Sequence, residues 1–438
     1  MSFSIDTQTL EELNLLGKFR QGSVYNLFSQ VKTRGGEQLL DSMFRTPLDN
    51  AVAINGRSDI FRFFQQAKQV FPFDVQEIGL MREYLDTGAG NNALLVLAGT
   101  VVKKWLAGLT RDERYKKNIQ GLQATIITLN KCYAFLEMLP SAAGPYSARL
   151  QSIKELLLDK RLEKLRNTDI YKALPVQTLA FYDHALKSKL HEEMERILSF
   201  IYELDVNIAV SDVARARGFA YARAYPPEKN ILLATGLCHP AIKGAVGNTI
   251  SLHKDSNVLF LTGANMAGKS TWMKSVGIAV YLAHMGFPVA AADMDFSVRE
   301  GLYSSINVAD NISLGYSHFY AEVMRVKQAA EAAASGKRLL LMFDELFKGT
   351  NVKDAYDGTL AVTEAFSEYK VCLFIVSTHI IEVGEALKGH SNIHCVYMPT
   401  VMNGPHPRYT YQLQEGITED RQGMMIIQNE GILELIGM

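Results

Sequence analysis

The sequence predicts a helical amino-terminal half followed by an α/β domain built on a largely parallel sheet, and two patterns carry that prediction. From about Leu39 to Arg223 apolar residues recur at three- and four-residue spacing over long stretches with few turn signals. From about Asn230 onward, short β-branched or aliphatic runs alternate with helical stretches, the pattern of strand–helix units with parallel strands. The expected helical stretches in the first half are Asn92 to Leu109, Leu122 to Leu139, Ser147 to Leu165 and Leu179 to Leu204. The expected strands in the second are Ile231–Leu233, Val258–Leu261, Arg338–Phe343, Cys372–Ser377 and Asn392–Met398. Tyr225-Pro226-Pro227, a sequence that ends a helix, marks the boundary, so the expected domains are 1–228 and 229–438.

Composition narrows the class. The chain has 438 residues, 48% of them hydrophobic, and 45 Lys+Arg against 46 Asp+Glu leave a net charge of −1. That length makes two or three domains at about 150 residues each, and the charge balance excludes a basic nucleic-acid coat protein. The four cysteines are scattered without CxxC spacing, which argues against a zinc ribbon or disulfide framework and suits a reducing compartment. The start, MSFSIDTQTLEELNLL, lacks the basic-then-apolar order of a secretory signal. No apolar run reaches the roughly 18–20 residues a bilayer span needs. The expectation is a soluble, cytoplasmic protein with no membrane contact.

One stretch of the helical half is locally basic. Lys103, Lys104, Arg111, Arg114, Lys116 and Lys117 cluster around Trp105 and Tyr115, a mixture able to track a phosphate backbone. Asp112 and Glu113 interrupt it, and a solvated helix face is the commoner origin of such a run.

The chemistry concentrates in the second half. Gly263-Ala264-Asn265-Met266-Ala267-Gly268-Lys269-Ser270 fits GxxxxGK[ST], follows an aliphatic run and opens a helical one from Trp272 to His284. In such a loop glycines let backbone N–H groups converge on phosphates, and the following helix adds its dipole. Lys269 is then placed for the β- and γ-phosphates and the Ser270 hydroxyl for Mg²⁺. Further on, the buried run Arg338–Phe343 ends in Asp344-Glu345. Carboxylates at the carboxyl end of a parallel strand face the ligand crevice, which assigns Asp344 to the Mg²⁺ shell and Glu345 to the attacking water. A third strand ends in Thr378-His379, and of the ten histidines His379 is the one placed to meet a γ-phosphate and that water.

These motifs resemble the ATPase domain of the MutS DNA mismatch-repair family. TGANMAGKST is close to that family's TGPNMGGKST, including the Asn265-Met266 pair. Asp310 to Phe319 (DNISLGYSHF) looks like its D-D-x-x-x-G-x-S-T-F signature, Asp344 to Asn351 (DELFKGTN) like its D-E-x-x-x-G-T-S, and Ser377-Thr378-His379 like its A/S-T-H. Upstream, Leu204 to Ala209 resembles the end of the family's lever helices, His239-Pro240 its R-H-P, and Gly22 to Pro47 the start of its core domain, with a helix beginning near Gly36.

The resemblance implies an ABC-type ATPase domain preceded by an all-α core and lever domain, hydrolysing ATP to ADP and phosphate with Mg²⁺. It implies a homodimer with composite sites. ATP is held by Gly263, Asn265, Met266, Ala267, Gly268, Lys269, Ser270 and Thr271 of one subunit and by Gly315 and Ser317 of the other, and Asp354 to Asp357 lie near the interface. The catalytic set is Glu345, His379 and Lys269, and the metal set Ser270 and Asp344. It further implies double-stranded DNA, mismatched or branched, and a repair-protein partner. Compared with full-length members, the chain is expected to lack the mismatch-reading and connector domains, to have a clamp that is shortened or missing, and to end without the full dimerisation helices. The family's adenine-stacking aromatic has no clear counterpart; Val246 and Asn248 are nearest. The rival expectations are an ATPase switch acting on branched DNA, a ribosome or a protein, and a P-loop small-molecule kinase, against which Ser317 and Glu345 argue.

Overall fold

The computed structural model of the protein describes residues 3–17, 22–88, 93–110, 113–139, 144–170, 172, 174–306, 318–403, 406–418 and 435–436. In chain order these form β1 (Ser4–Ile5), α1 (Thr7–Glu12), α2 (Val24–Phe28), α3 (Arg34–Arg45), α4 (Ala51–Ala67), α5 (Val75–Asp86), α6 (Ala93–Thr110) and α7 (Arg114–Met138). They continue through α8 (Ser147–Leu157), α9 (Lys160–Arg166), α10 (Val176–His184), a π-helical turn (Ala185–Lys189) and α11 (His191–Arg217). There follow β2 (Ala220–Tyr221), β3 (Arg223–Tyr225), β4 (Ile231–Leu237), β5 (Asn248–His253), β6 (Val258–Gly263), α12 (Lys269–His284), β7 (Pro288–Val289), β8 (Asp293–Ser297) and β9 (Gly301–Ser305). The remainder is α13 (His318–Ala334), β10 (Leu339–Asp344), α14 (Val352–Ser367), β11 (Leu373–Ser377), α15 (Ile381–Leu387), β12 (Ile393–Met398), β13 (Thr400–Asn403), β14 (His406–Tyr409) and β15 (Gln414–Glu415).

The chain divides into two compact units, one of residues 1–28, 43–58 and 213–438, the other of 29–42 and 59–212. The division therefore does not fall at one point: two amino-terminal segments belong with the sheet. In the sheet-bearing unit seven strands run in the order β1-β9-β10-β11-β6-β12-β15. All neighbours are parallel except β12–β15. The inner strands are short and apolar because both faces are covered, and β6 and β11 are buried along their whole length. Phe343, Phe366 and Phe374 stack in series, with ring centroids 5.4 and 5.0 Å apart, and fill one side of the sheet. A second sheet, β3-β8-β4-β5, belongs to the same unit.

The helical unit buries a continuous apolar core. On α7 that stripe is Leu122, Ile126, Leu129, Cys132 and Leu136, packed with Leu150, Leu162, Leu198 and Ile201. Asp205 on α11 accepts hydrogen bonds from the backbone N–H groups of Lys32 (3.0 Å) and Thr33 (2.6 Å) and from the Thr33 hydroxyl (2.7 Å), pinning the start of α3.

Three sequence expectations change in detail. The run from Ser147 to Leu165 is broken because the Asp159 carboxylate caps α9, accepting from the Arg161 N–H at 2.8 Å. The run from Leu179 to Leu204 contains the π-helical turn. The long helix does not reach Tyr225-Pro226-Pro227. It ends at Arg217, where Gly218 takes φ +67°, and Tyr225 closes β3 instead.

Candidate nucleotide site

The central strand β6 delivers the glycine-rich loop between its two parallel neighbours, β11 and β12. Gly263 has φ +145° and Gly268 φ +101°, and a Cβ on Gly268 would lie 2.9 Å from the Tyr411 ring, so glycine is needed there on both counts. Met266 also takes a positive φ, +74°, with its side chain exposed beside exposed Asn265, whereas Ala267 is buried. Helix α12 starts at Lys269, and its N-cap, Gly268, supplies no side-chain acceptor. A helix N-terminus left open in this way suits an anion.

Lys269 is buried, 5% exposed, and its ammonium donates to the carbonyls of Gly263 (2.8 Å) and Ala264 (3.2 Å). Burial pulls its pKa down, and the nearby carboxylates of Asp344 and Glu345 oppose that pull. Strand register brings the second motif alongside: Asp344 pairs with Ser377 on β11, and Ser377 with Leu261 on β6. The Asp344 carboxylate accepts from the hydroxyls of Ser270 and Ser377, one on each oxygen. Burial raises its pKa, the two hydroxyls acting against the rise.

Glu345 follows at φ +52°, a left-handed conformation that turns its side chain out of the strand's alternation, and its N–H donates to the Ser377 carbonyl at 2.8 Å. His379, exposed, places Nδ1 3.5 Å from Glu345 Oε1. That contact lowers the Glu345 pKa, burial opposing it. The two adjacent carboxylates are thus driven in opposite directions by their surroundings, the arrangement that separates acid–base roles at one site.

A cleft of about 540 Å³ opens over these groups, lined by Asn265, Met266, Gly268, Lys269, Ser270, Thr271, Ile306, Asp344, Glu345, Lys348 and Tyr411. A second cleft of about 340 Å³ shares Gly268, Thr271 and Tyr411 with it and is walled by His239, Val246, Asn248 and Trp272. The structure therefore gathers Gly268, Lys269, Ser270, Thr271, Asn265, Met266, Asp344 and Glu345 at one opening, with His379 behind Glu345. Gly315 and Ser317 lie outside the described residues, as do Arg111 and Asp112 of the basic stretch. Among the rest of that stretch, Lys104, Trp105, Arg114, Lys116 and Lys117 are exposed around the connection of α6 to α7.

Sequence reasoning missed Tyr411, Lys348 and Ile306 as lining residues, and Ser377 as the second holder of Asp344. Asn248 does not stack on anything: its side chain bonds the Tyr411 carbonyl (2.9 Å) and the Leu413 N–H (2.7 Å) and so fixes Tyr411 between the clefts. The only signal for Tyr411 was the alternating Tyr409-Thr410-Tyr411 run, which carries no chemistry until folding sets it beside Gly268.

The donor set fits MgATP. Mg²⁺ needs few protein ligands when phosphates supply others, and a buried carboxylate already bonded to the Ser270 hydroxyl is such a pair. No cluster of three or more metal-binding side chains occurs among the described residues, and none is required. No helix among them is long and apolar enough to cross a membrane.

Comparison with known proteins finds similarity over this site. Residues 259–436 match MutS domain V. The chain is 24% identical over 448 residues to the DNA mismatch repair protein MutS of Streptococcus mutans, covering 97% of this chain and 49% of that protein. It is 25% identical over 357 residues to the protein of that name from Shouchella clausii, and 25% over 348 residues to that from Leuconostoc citreum, each match covering 75% of this chain and 39% of the relative. The chain thus spans about half or less of the length of the curated relatives it matches.

Proposed function

We propose that this chain, whose residues 259–436 match MutS domain V, is a MutS-family protein that binds and hydrolyses ATP at the 540 Å³ cleft and uses the nucleotide cycle in DNA mismatch repair. The observation that carries the proposal is the buried Lys269 set against the Ser270–Asp344 pair at the mouth of an uncapped helix.

Lys269 exchanges its two loop carbonyls for the β- and γ-phosphates, since an ammonium bonded to neutral carbonyls gains by meeting an anion. Ser270 and Asp344 would hold Mg²⁺, which when bound neutralises charge on the phosphate oxygens. Glu345, kept ionised by His379, orients the attacking water and accepts its proton as the new P–O bond forms and the bond from the γ-phosphorus to the bridging oxygen breaks, that oxygen leaving with ADP. The 340 Å³ cleft beside Tyr411 takes the base, with the ring available for stacking.

The larger architecture is proposed with it: an ABC-type ATPase domain over 229–438, a core and lever domain over 1–228, and a homodimer in which Gly315 and Ser317 of one subunit complete the other's site. DNA contact falls to the exposed lysines around Trp105, which suit a phosphate backbone. The relatives' names favour repair over a ribosomal or protein-directed switch.

Glu345→Gln tests the reaction. Turnover of ATP is expected to fall by about 10²-fold or more, the range of a lost general base, while binding of MgATP persists because Lys269, Ser270 and Asp344 are intact. Unchanged turnover would remove Glu345 from the mechanism.

A further inference from the structure

We propose that α1 is a positioning element of this cleft and that Glu12 is its acting residue; the inference rests on reading the cleft as the MgATP site. β1 pairs with β9 only at Ser4↔Gly301 and Ile5↔Leu302, so the outer edge of β9 loses its strand neighbour beyond Leu302. Edge N–H groups recur every second residue, and those left unpaired need another acceptor.

Side chains of α1 supply those acceptors at the right spacing. The Thr9 hydroxyl accepts from the Ser304 N–H at 3.0 Å, and Glu12 Oε2 accepts from the Ile306 N–H at 3.0 Å. The same Glu12 oxygen accepts from the Ser304 hydroxyl, and Oε1 accepts from the Gln8 amide at 2.7 Å. One turn and a half of helix thus continues, in side-chain oxygens, the ladder that β1 begins.

The opposite end of α1 is fixed as firmly. Arg325 of α13, 6% exposed, donates to both Asp6 oxygens (2.6 and 3.1 Å), to the Thr9 hydroxyl (3.0 Å) and to the Ser304 carbonyl (3.1 Å). Its guanidinium lies 3.7 Å from the centre of the Tyr303 ring.

What this holds in place is Ile306, the first residue beyond β9 and part of the cleft wall with Lys269, Asp344 and Glu345. Among the described contacts, the Ile306 N–H is anchored by a carboxylate rather than by a strand. Removing that carboxylate takes away the hydrogen bond on the Ile306 N–H and loosens the wall there without touching any group that meets the phosphates. The expected consequence is weaker nucleotide binding with the chemical step intact, because orientation of the wall is lost while Glu345 and Lys269 stay in place.

The test is a titration with fluorescent MgATP (the methylanthraniloyl derivative), paired with steady-state hydrolysis. Glu12→Ala is expected to weaken binding about tenfold and to raise KM for ATP equally, with kcat within about twofold, as befits loss of charge-assisted hydrogen bonds outside the reacting atoms. Glu12→Gln, whose amide oxygen still accepts from Ile306, is expected to recover to within about threefold of wild type. Exposed Glu11→Ala is the neutral control. Should Glu12→Ala not fold, Thr9→Val carries the same comparison, expected at about threefold. A lowered melting temperature with unchanged KM in the variant that folds overturns the inference and leaves the cleft reading standing. Absence of Mg²⁺-dependent binding by the wild-type protein overturns the cleft reading, and the inference with it.

Discussion

Among the described residues each unit buries one lysine, and the two are held in opposite ways. In the helical unit the Lys187 ammonium lies 2.6 Å from the Asp183 carboxylate, donates to Thr87 Oγ1 (2.7 Å) and Asn118 Oδ1 (3.1 Å), and sits 4.0 Å from the centre of the Tyr84 ring. In the sheet-bearing unit Lys269 bonds only the carbonyls of its own loop, and the carboxylates near it are engaged elsewhere, Asp344 by two serines and Glu345 by His379. Burial lowers the pKa of both lysines. The first is ringed by fixed partners; the second is held by neutral groups that an anion outcompetes. The difference separates a structural buried charge from one kept for a ligand, although both are lysines on helices with almost no exposure.

The largest expected effect breaks the helical member of the pair. Lys187→Met leaves Asp183 buried and uncompensated, and about 3–5 kcal/mol of stability should be lost, the usual cost of breaking such a pair. Chemical denaturation measures it, and restoring much of the loss with Asp183→Leu in the same chain would show that the stranded carboxylate, not the lost packing, is the cause. A loss under about 1 kcal/mol would mean that the pair is not doing what its geometry says.

The smallest expected effect sharpens the catalytic side. Asp344 has a raised pKa because it is buried, so the folded state takes up a proton more readily than the unfolded one. Its charge therefore costs stability that grows as pH rises from the ordinary carboxylate range through the raised value. Asp344→Asn should stabilise the protein at pH 7, with the gain shrinking at pH 4, where the wild-type group takes up its proton more readily than in the unfolded chain. Thermal melts at the two pH values decide it, and an equal gain at both would assign the change to something other than charge.

The sequence made these two lysines unequally visible. Lys269 sits in an eight-residue pattern whose chemistry is local, and the strand that precedes it is a pure apolar run, so loop, strand and helix were all readable. The same holds for β10 and β11, buried on both faces. Strands with polar or acidic content were not readable: β8 is Asp293–Ser297 (DMDFS) and β9 is Gly301–Ser305 (GLYSS), and each is a strand because its neighbours pair with it. β1 has two residues and no pattern at all.

Lys187 lies within a helical run that reads as continuous, and nothing local announces the π-helical turn around it or partners as distant as Thr87 and Asn118. Ser377 and Tyr411 share that limit. Their roles exist only through strand register and a 163-residue hydrogen-bond separation between Asn248 and Tyr411. Groups carried by a loop or strand-end motif, such as Lys269, Asp344, Glu345 and His379, were legible; groups without a motif that act only by meeting a distant segment were not.

The central claim, that Lys269 is the lysine kept for an anion, is tested most directly by calorimetric titration of MgATP into wild-type protein, Lys269→Met and Lys187→Met, all well below their unfolding temperatures. About a 100-fold loss of affinity is expected for Lys269→Met, on the scale of a desolvated charge contact to phosphate, and affinity within about twofold of wild type for folded Lys187→Met. Wild-type affinity in Lys269→Met, or an equal loss in both variants, would contradict it.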